Sequence, residues 1–186
     1  MDRLQRHLDV AAPTPDRVIE LMTRCTGAAV ELVPGVHHAS VTATLDNIPL
    51  TVAPTDPLLV AFDLAQYSFG EGPCLTASRT GNSVRLSLDE LEARRPVLGQ
   101  TARDAQLTDF LAVPLLVEQS SVGSLNLYSE NSIVHSIRDR DLVTALADYL
   151  GNALEAAAHD QRQGQAAAAL RHAVGLGSTS SAQSAF

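Results

Sequence analysis

The sequence predicts a single α+β domain built on a mainly antiparallel sheet. Hydrophobic residues recur with a helical period in some segments and with a strand-like period in others. Two pairs of predicted strands are joined by turns at Asp46-Asn47 and Gln119-Ser120, which are too short for a parallel crossover. Helical segments separate the strands, so we expect helices on both faces of the sheet.

The first part of the chain predicts two strands between two helices. Residues 14–16, Thr-Pro-Asp, are typical of a helix start: a cap, a first-turn proline and a first-turn acid. Residues 34–35, Pro-Gly, end this helix. Residues 37–45 and 48–53 have the β-branched character of strands. A second helix is expected over residues 57–69, with Pro57 in its first turn.

The middle of the chain predicts a short helix over residues 73–79 and a strand over residues 83–88. Residues 89–106 are polar with sparse apolar positions, which predicts one helix lying over a sheet face.

Two strong strands and a long helix close the pattern. Residues 109–118 are almost continuously apolar, which indicates burial on both faces, and residues 121–129 form the next strand. The closing helix is expected from Ser136 to about Ala169. We therefore expect a mobile arm over residues 1–13, one domain over residues 14–170 and a disordered tail over residues 171–186.

Composition excludes several functional classes. The chain has 186 residues, 45% of them hydrophobic and 18% charged, which is typical of a folded protein. No apolar run is long enough to cross a membrane, and the N-terminus lacks the apolar segment of a secretory signal. We expect a cytoplasmic protein with two free cysteines.

Charge argues against direct binding of nucleic acid. The chain has 13 arginines, no lysine and a net charge of −8. The arginines are scattered singly, apart from the pair Arg94-Arg95, whereas a duplex-binding protein gathers cations on one face. Without lysine, Schiff-base and P-loop chemistry are also excluded.

The sequence contains no standard catalytic, metal-binding or cofactor-binding signature. His37 and His38 are adjacent on a predicted strand and point to opposite faces, so they do not readily share a metal. We therefore predict no catalytic residue, no metal and no cofactor.

Four residues near the end of the second helix are candidates for a binding site. Cys74 follows two glycines at the start of a short helix, where the helix dipole favours a thiolate. No base or cation is placed beside it locally, so packing or pocket lining is favoured over redox chemistry or catalysis. Glu71 lies between the glycines and is either functional or a solvated loop residue. Gln66 and Tyr67 either hydrogen-bond a ligand or satisfy the adjoining backbone.

The run LAQYSFGEGPC, from Leu64 to Cys74, resembles the GAF domains of actinobacteria that precede ANTAR modules. The strand ending in VPL at Leu115, the VGSLNLY strand from Val122 and the long closing helix are also similar. The resemblance covers about residues 14–160.

This resemblance implies an antiparallel sheet of about six strands, with the terminal helices on one face and shorter helices on the other. It also implies a small-molecule pocket lined by Gln66, Tyr67, the 70–74 loop, Ser40 and Thr42. Such domains often act as sensors that dimerise and signal through their terminal helices, here to a separate output protein. The alternatives are a dimerisation module without a ligand and a redox sensor or reductase that uses Cys74.

Two departures from the family pattern restrict these functions. A short Ser/Ala-rich tail stands where an ANTAR module would add RNA-binding helices. GAF proteins that reduce free methionine sulfoxide depend on further cysteines near the pocket, and residues 89–114 contain none.

The closing helix also predicts a homodimer. A second apolar stripe lies beside its main seam, which indicates burial against two partners. The stripe consists of Val143, Ala147, Leu150, Leu154 and Ala157. We expect it to pair, together with the first helix, with the same helices of a second chain.

Overall fold

A computed structural model describes residues 15–45, 48–131, 140–156 and 159. Its elements, in chain order, are α1 (Pro15–Leu32), β1 (His38–Leu45), β2 (Ile48–Val52), α2 (Leu58–Phe69), α3 (Pro73–Thr80), β3 (Val84–Ser87), α4 (Leu88–Arg94), α5 (Pro96–Asp104), β4 (Asp109–Val117), β5 (Ser120–Ser129) and α6 (residues 140–156). The predicted arm, the tail and the outer parts of the closing helix lie outside the described residues. No described helix has the length and apolar character needed to cross a bilayer.

All strand pairs in the sheet are antiparallel, and the strand order is β2-β1-β5-β4-β3. β1 pairs with β2, and β4 pairs with β5 through a short turn, as the sequence predicts. The turn predicted at Asp46-Asn47 lies outside the described residues. Five strands are present among the described residues, against about six implied by the family resemblance. The α+β class and the antiparallel sheet are confirmed.

Successive residues of the central strands point to opposite faces, and the two faces have different chemistry. Val41, Leu125 and Leu127 pack in one core with α1 and α6. Between them on the strands, Ser40 and Asn126 are buried on the other face, below the shorter helices. The same two strands therefore contact the terminal helices with apolar side chains and the shorter helices with polar ones.

The closing helix α6 packs closely on the sheet. At Gly151 a Cβ atom would lie 2.3 Å from the carbonyl oxygen of Leu116, so only glycine fits at this crossing. Val143, Ala147 and Leu150 are each 1% exposed within one chain. For these three residues the expectation that the stripe needs a second chain for burial is therefore wrong, because they pack in one core with the sheet and α1. Leu154 is half-buried, and Ala157 lies outside the described residues.

The face with the shorter helices has its own apolar core. Phe62 of α2 stacks on Phe110 of β4 with ring centroids 5.2 Å apart. Tyr128 of β5 stands at about a right angle to both rings. This core fixes α2 against the sheet and so positions the polar residues of α2 beside it.

Residues 89–106 form two helices instead of the single helix predicted. Pro96 disfavours a helical conformation at the preceding residue, and Arg95 has φ −145° and ψ 78°. Ser87 ends β3 and forms a capping box with Glu90 at the start of α4, in which each side chain accepts from the other residue's backbone N–H. The strand is therefore shorter than the one predicted over residues 83–88. The chain turns at Arg95 and exposes that side chain beside α3.

Candidate functional site

Ten residues on the face with the shorter helices form a connected set of polar side chains, here named the polar cluster. Its members are Ser40, Thr42, Thr51, Asp63, Gln66, Tyr67, Cys74, Ser124, Asn126 and Tyr128. Strands β1, β2 and β5 contribute six of them, and helices α2 and α3 contribute four. Eight of the ten residues are buried, and the other two, Thr51 and Tyr67, are half-buried.

Asp63 is the central acceptor of the polar cluster. Its Oδ2 accepts hydrogen bonds from Ser40 Oγ at 3.0 Å and from Thr51 Oγ1 at 3.1 Å. Its Oδ1 accepts from Tyr128 Oη at 2.7 Å and from Gln66 Nε2 at 3.1 Å. Burial raises the pKa of the Asp63 carboxyl, while these hydrogen bonds act in the opposite direction. A buried carboxyl thus ties α2 to three strands.

Gln66 connects this centre to Cys74. Its Oε1 accepts from the Cys74 backbone N–H at 3.3 Å and from the thiol at 3.0 Å. Burial, followed by the charge of Asp63, raises the pKa of the Cys74 thiol well above its ordinary value. The expectation that the α3 N-terminus favours a thiolate is wrong, because desolvation and a nearby carboxyl dominate.

The remaining members close the polar cluster internally. Tyr67 Oη lies 3.1 Å from Thr42 Oγ1 and 2.9 Å from Thr51 Oγ1. Asn126 Nδ2 donates to Thr42 Oγ1 at 2.9 Å, and Ser124 Oγ donates to Asn126 Oδ1 at 2.7 Å. These polar groups therefore satisfy much of one another's hydrogen-bonding capacity.

An open cleft of about 430 Å³ lies next to the polar cluster. Its lining residues, here named the arginine cleft, are Glu71, Gly72, Thr76, Arg79, Leu86, Leu91, Arg94 and Arg95. Arg95 forms an ion pair with Glu71, and Arg79 Nη1 donates to the carbonyl oxygen of Gly70 at 3.1 Å. Two arginines of the cleft therefore hold the loop that joins α2 to α3.

Gly72 separates the arginine cleft from the polar cluster. Its φ is 149°, and a Cβ atom at this position would lie 2.2 Å from Gln66 Oε1. The backbone of the cleft wall is thus in direct contact with Gln66, and only glycine permits the approach.

The structure brings five of the six predicted site residues together. Gln66, Tyr67, Cys74, Ser40 and Thr42 all belong to the polar cluster. Glu71 does not, since it faces the arginine cleft on the other side of Gly72.

Sequence reasoning missed the acceptor at the centre and the arginines. Asp63 stands out as a lone acid in an apolar run, three residues before Gln66 on the same helix face. Asn126 likewise interrupts an apolar strand. Arg79 is distant in sequence from Arg94 and Arg95, and their proximity depends on the turn at Pro96 and on β3.

The described residues contain no group of three or more His, Cys, Asp or Glu side chains placed to hold a metal. Cys25 lies in the core shared with the terminal helices, on the face of the sheet opposite Cys74. Burial raises the pKa of Cys25 to about 12.

A sequence model of the GAF domain matches residues 16–155, which is most of the chain. The chain belongs to the GAF domain family. Members of this family are usually sensory or regulatory, and the family resemblance noted from the LAQYSFGEGPC run is confirmed. No curated protein matches the sequence significantly.

Solved structures share this fold at low sequence identity. The GAF3 domain of Slr1393 from Synechocystis sp. PCC6803 is 16% identical, with a TM-score of 0.63, over 78% of this chain and 98% of that chain. The GAF domain of an Acinetobacter phosphoenolpyruvate-protein phosphotransferase is 16% identical, with a TM-score of 0.60, over 87% and 93%. The type II free methionine-R-sulfoxide reductase of Thermoplasma acidophilum is 12% identical, with a TM-score of 0.56, over 74% and 92%.

Proposed function

We propose that this GAF domain is a non-catalytic sensor that binds a small molecule in the arginine cleft and signals through α1 and α6. The observation that carries the proposal is the position of Gly72. It lines the open cleft and touches Gln66 of the buried polar cluster. A molecule that moves the cleft wall therefore acts directly on the cluster.

The path from the polar cluster to the terminal helices runs through β1 and β5. Ser40 and Asn126 belong to the cluster, while Val41 and Leu125 pack with α1 and α6. A shift of either strand changes packing on both faces, because tightly packed side chains transmit displacement. This arrangement supports signalling through the terminal helices.

A redox function based on Cys74 is the competing proposal, since two structural neighbours are methionine sulfoxide reductases. The buried thiol with a raised pKa argues against an activated nucleophile. The only other cysteine, Cys25, is on the opposite face of the sheet, so it does not offer a resolving thiol. These observations favour the non-catalytic proposal.

Ligand-dependent stability distinguishes a sensor from a dimerisation module without a ligand. The full chain is exposed to the small-molecule fraction of a bacterial extract, and bound compounds are identified by mass spectrometry. A compound that binds only the native state raises the melting temperature with concentration. We expect this rise in the parent and its loss in Thr76→Tyr, which fills the cleft.

Thr23→Tyr is the matched control, because Thr23 is exposed on α1, on the other side of the sheet. A rise that survives in Thr76→Tyr would place the ligand elsewhere. No rise with any fraction would favour the dimerisation module.

A further inference from the structure

We propose that the arginine cleft selects an organic dianion of the phosphomonoester type, and that Glu71 is a tethered competitor for the same guanidinium groups. This inference deepens the proposed function and rests on it. It assigns a chemical class to the ligand and a regulatory role to one residue of the cleft wall.

The charge of the cleft is the first argument. Three arginines and one carboxylate line it, which leaves two net positive charges in a chain whose total charge is −8. A local positive potential in an acidic protein attracts anions to that place in particular. Guanidinium groups bind phosphate oxygens through paired N–H donors, so arginine is better suited to this task than a point charge.

The other lining groups suit an ester with an apolar part. Leu86 and Leu91 are largely buried and give the cleft an apolar wall. Thr76 adds a hydroxyl. The α3 helix begins at Pro73 without a side-chain cap, so its positive end is directed at this loop. A phosphate near the arginines with a carbon body over the leucines uses all of these features.

Glu71 already supplies one carboxylate to this site. Its side chain is 43% exposed and pairs with Arg95, which is 50% exposed. An ion pair this exposed contributes little to stability, so a better anion displaces it readily. The Glu71 backbone N–H donates to the carbonyl oxygen of Gln66 at 3.1 Å, so the residue stays attached to α2 when its side chain is displaced from Arg95.

Displacement of Glu71 moves Gly72, which touches Gln66. Gln66 Oε1 accepts hydrogen bonds from the Cys74 thiol and from the Cys74 backbone N–H. Ligand binding is therefore expected to change the rate at which the Cys74 thiol is alkylated. This gives a readout inside the protein that does not depend on knowing the natural ligand.

The test uses phenyl phosphate, titrated calorimetrically into the full chain at a pH of about 7.5, where the ester is a dianion because its second pKa is about 6. Benzyl alcohol is the neutral comparison.

Arg94→Gln is expected to weaken binding by about tenfold or more, as for a lost charge-assisted hydrogen bond. Glu71→Gln is expected to tighten it by about two- to fivefold. Arg17→Gln, an exposed arginine of α1, is the matched control and is expected to bind as the parent does.

The outcomes separate this inference from the proposed function. Equal affinity in Arg94→Gln and Arg17→Gln, or equal binding of benzyl alcohol, would overturn the dianion class. Unchanged or weaker binding in Glu71→Gln would overturn its role as competitor. In both cases an extract compound that stabilises the parent but not Thr76→Tyr would still support the sensor. Failure of the sensor shows instead as the absence of any such compound.

Discussion

The carboxyl group of Asp63 influences stability in a way that depends on pH. Burial raises its pKa, so the native state retains a proton that the unfolded chain has already released. The native state binds more protons in this window, and stability therefore falls as pH rises from about 4 towards the raised pKa. This direction is opposite to that of a salt-bridged aspartate.

Asp63→Asn removes this titration. We expect the parent to lose unfolding free energy relative to the variant as pH increases above about 4, measured by urea denaturation at a series of pH values. Other carboxyl groups titrate equally in both proteins and cancel in the difference. A difference that does not vary with pH would show that the pKa of Asp63 is not raised.

Cys74 is expected to be an unreactive thiol. Its raised pKa leaves little thiolate at neutral pH, so alkylation in a Cys25→Ala background should be slower than that of a model thiol. Unfolding in urea should restore the ordinary rate. A native rate above that of the model thiol would favour the redox alternative.

At the residue scale, the sequence predicted which residues lie together better than it predicted their chemistry. The structure connects Gln66, Tyr67 and Cys74 to residues of β1, as the resemblance implies, and their contact with a ligand stays a prediction. It did not reveal that the pKa of Cys74 is raised, because that pKa depends on burial by other elements and on the charge of Asp63. Sequence position alone carries no information on desolvation.

At the scale of elements, the α2–α3 junction is held by a glycine that cannot be replaced. We expect Gly72→Ala to lower the unfolding free energy by more than about 2 kcal/mol, because it combines an unfavourable φ with overlap on Gln66. Urea denaturation measures the change. Gly27→Ala is the control: it lies in α1 with no atom within 4 Å of its new Cβ, and should stabilise by about 0.5–1 kcal/mol. A neutral Gly72→Ala would show that the loop is loosely held.

Elements were predicted well where the signals were local. Tight turns identified the antiparallel strand pairs, and glycines marked the ends of α2 and α3. The break between α4 and α5 also had a local signal in Pro96, but the polar pattern on both sides suggested continuity. The approach of Arg79 to Arg94 and Arg95 had no local sequence signal, because it arises from how α3, β3 and α4 pack together.

At the scale of the whole molecule, dimerisation through α1 and α6 stays a prediction. Leu150→Glu would bury a carboxylate in the core of one chain and is expected to unfold it, so it does not report on a dimer. Ile19, 54% exposed on α1, offers a better probe. If the terminal helices pair, Ile19→Glu should halve the mass measured by light scattering while circular dichroism shows that the chain stays folded. A modest fall in melting temperature is then expected from loss of the partner.

Val60→Glu is the matched control, because Val60 is exposed on α2 and lies away from α1 and α6. It should leave the mass unchanged. A parent whose scattering mass equals that of one chain would contradict the dimer.

The hydrogen bond between Tyr128 Oη and Asp63 Oδ1 has a consequence for proton exchange. Tyr128 is 1% exposed, and its hydroxyl is enclosed by other members of the polar cluster. A phenolic proton held in this way meets solvent only when the cluster opens, so its lifetime is set by the opening rate and not by the intrinsic chemistry of tyrosine. The NMR signal of this hydroxyl proton should therefore be sharp when the polar cluster is closed and absent when it opens. It would report the conformational state of the protein directly.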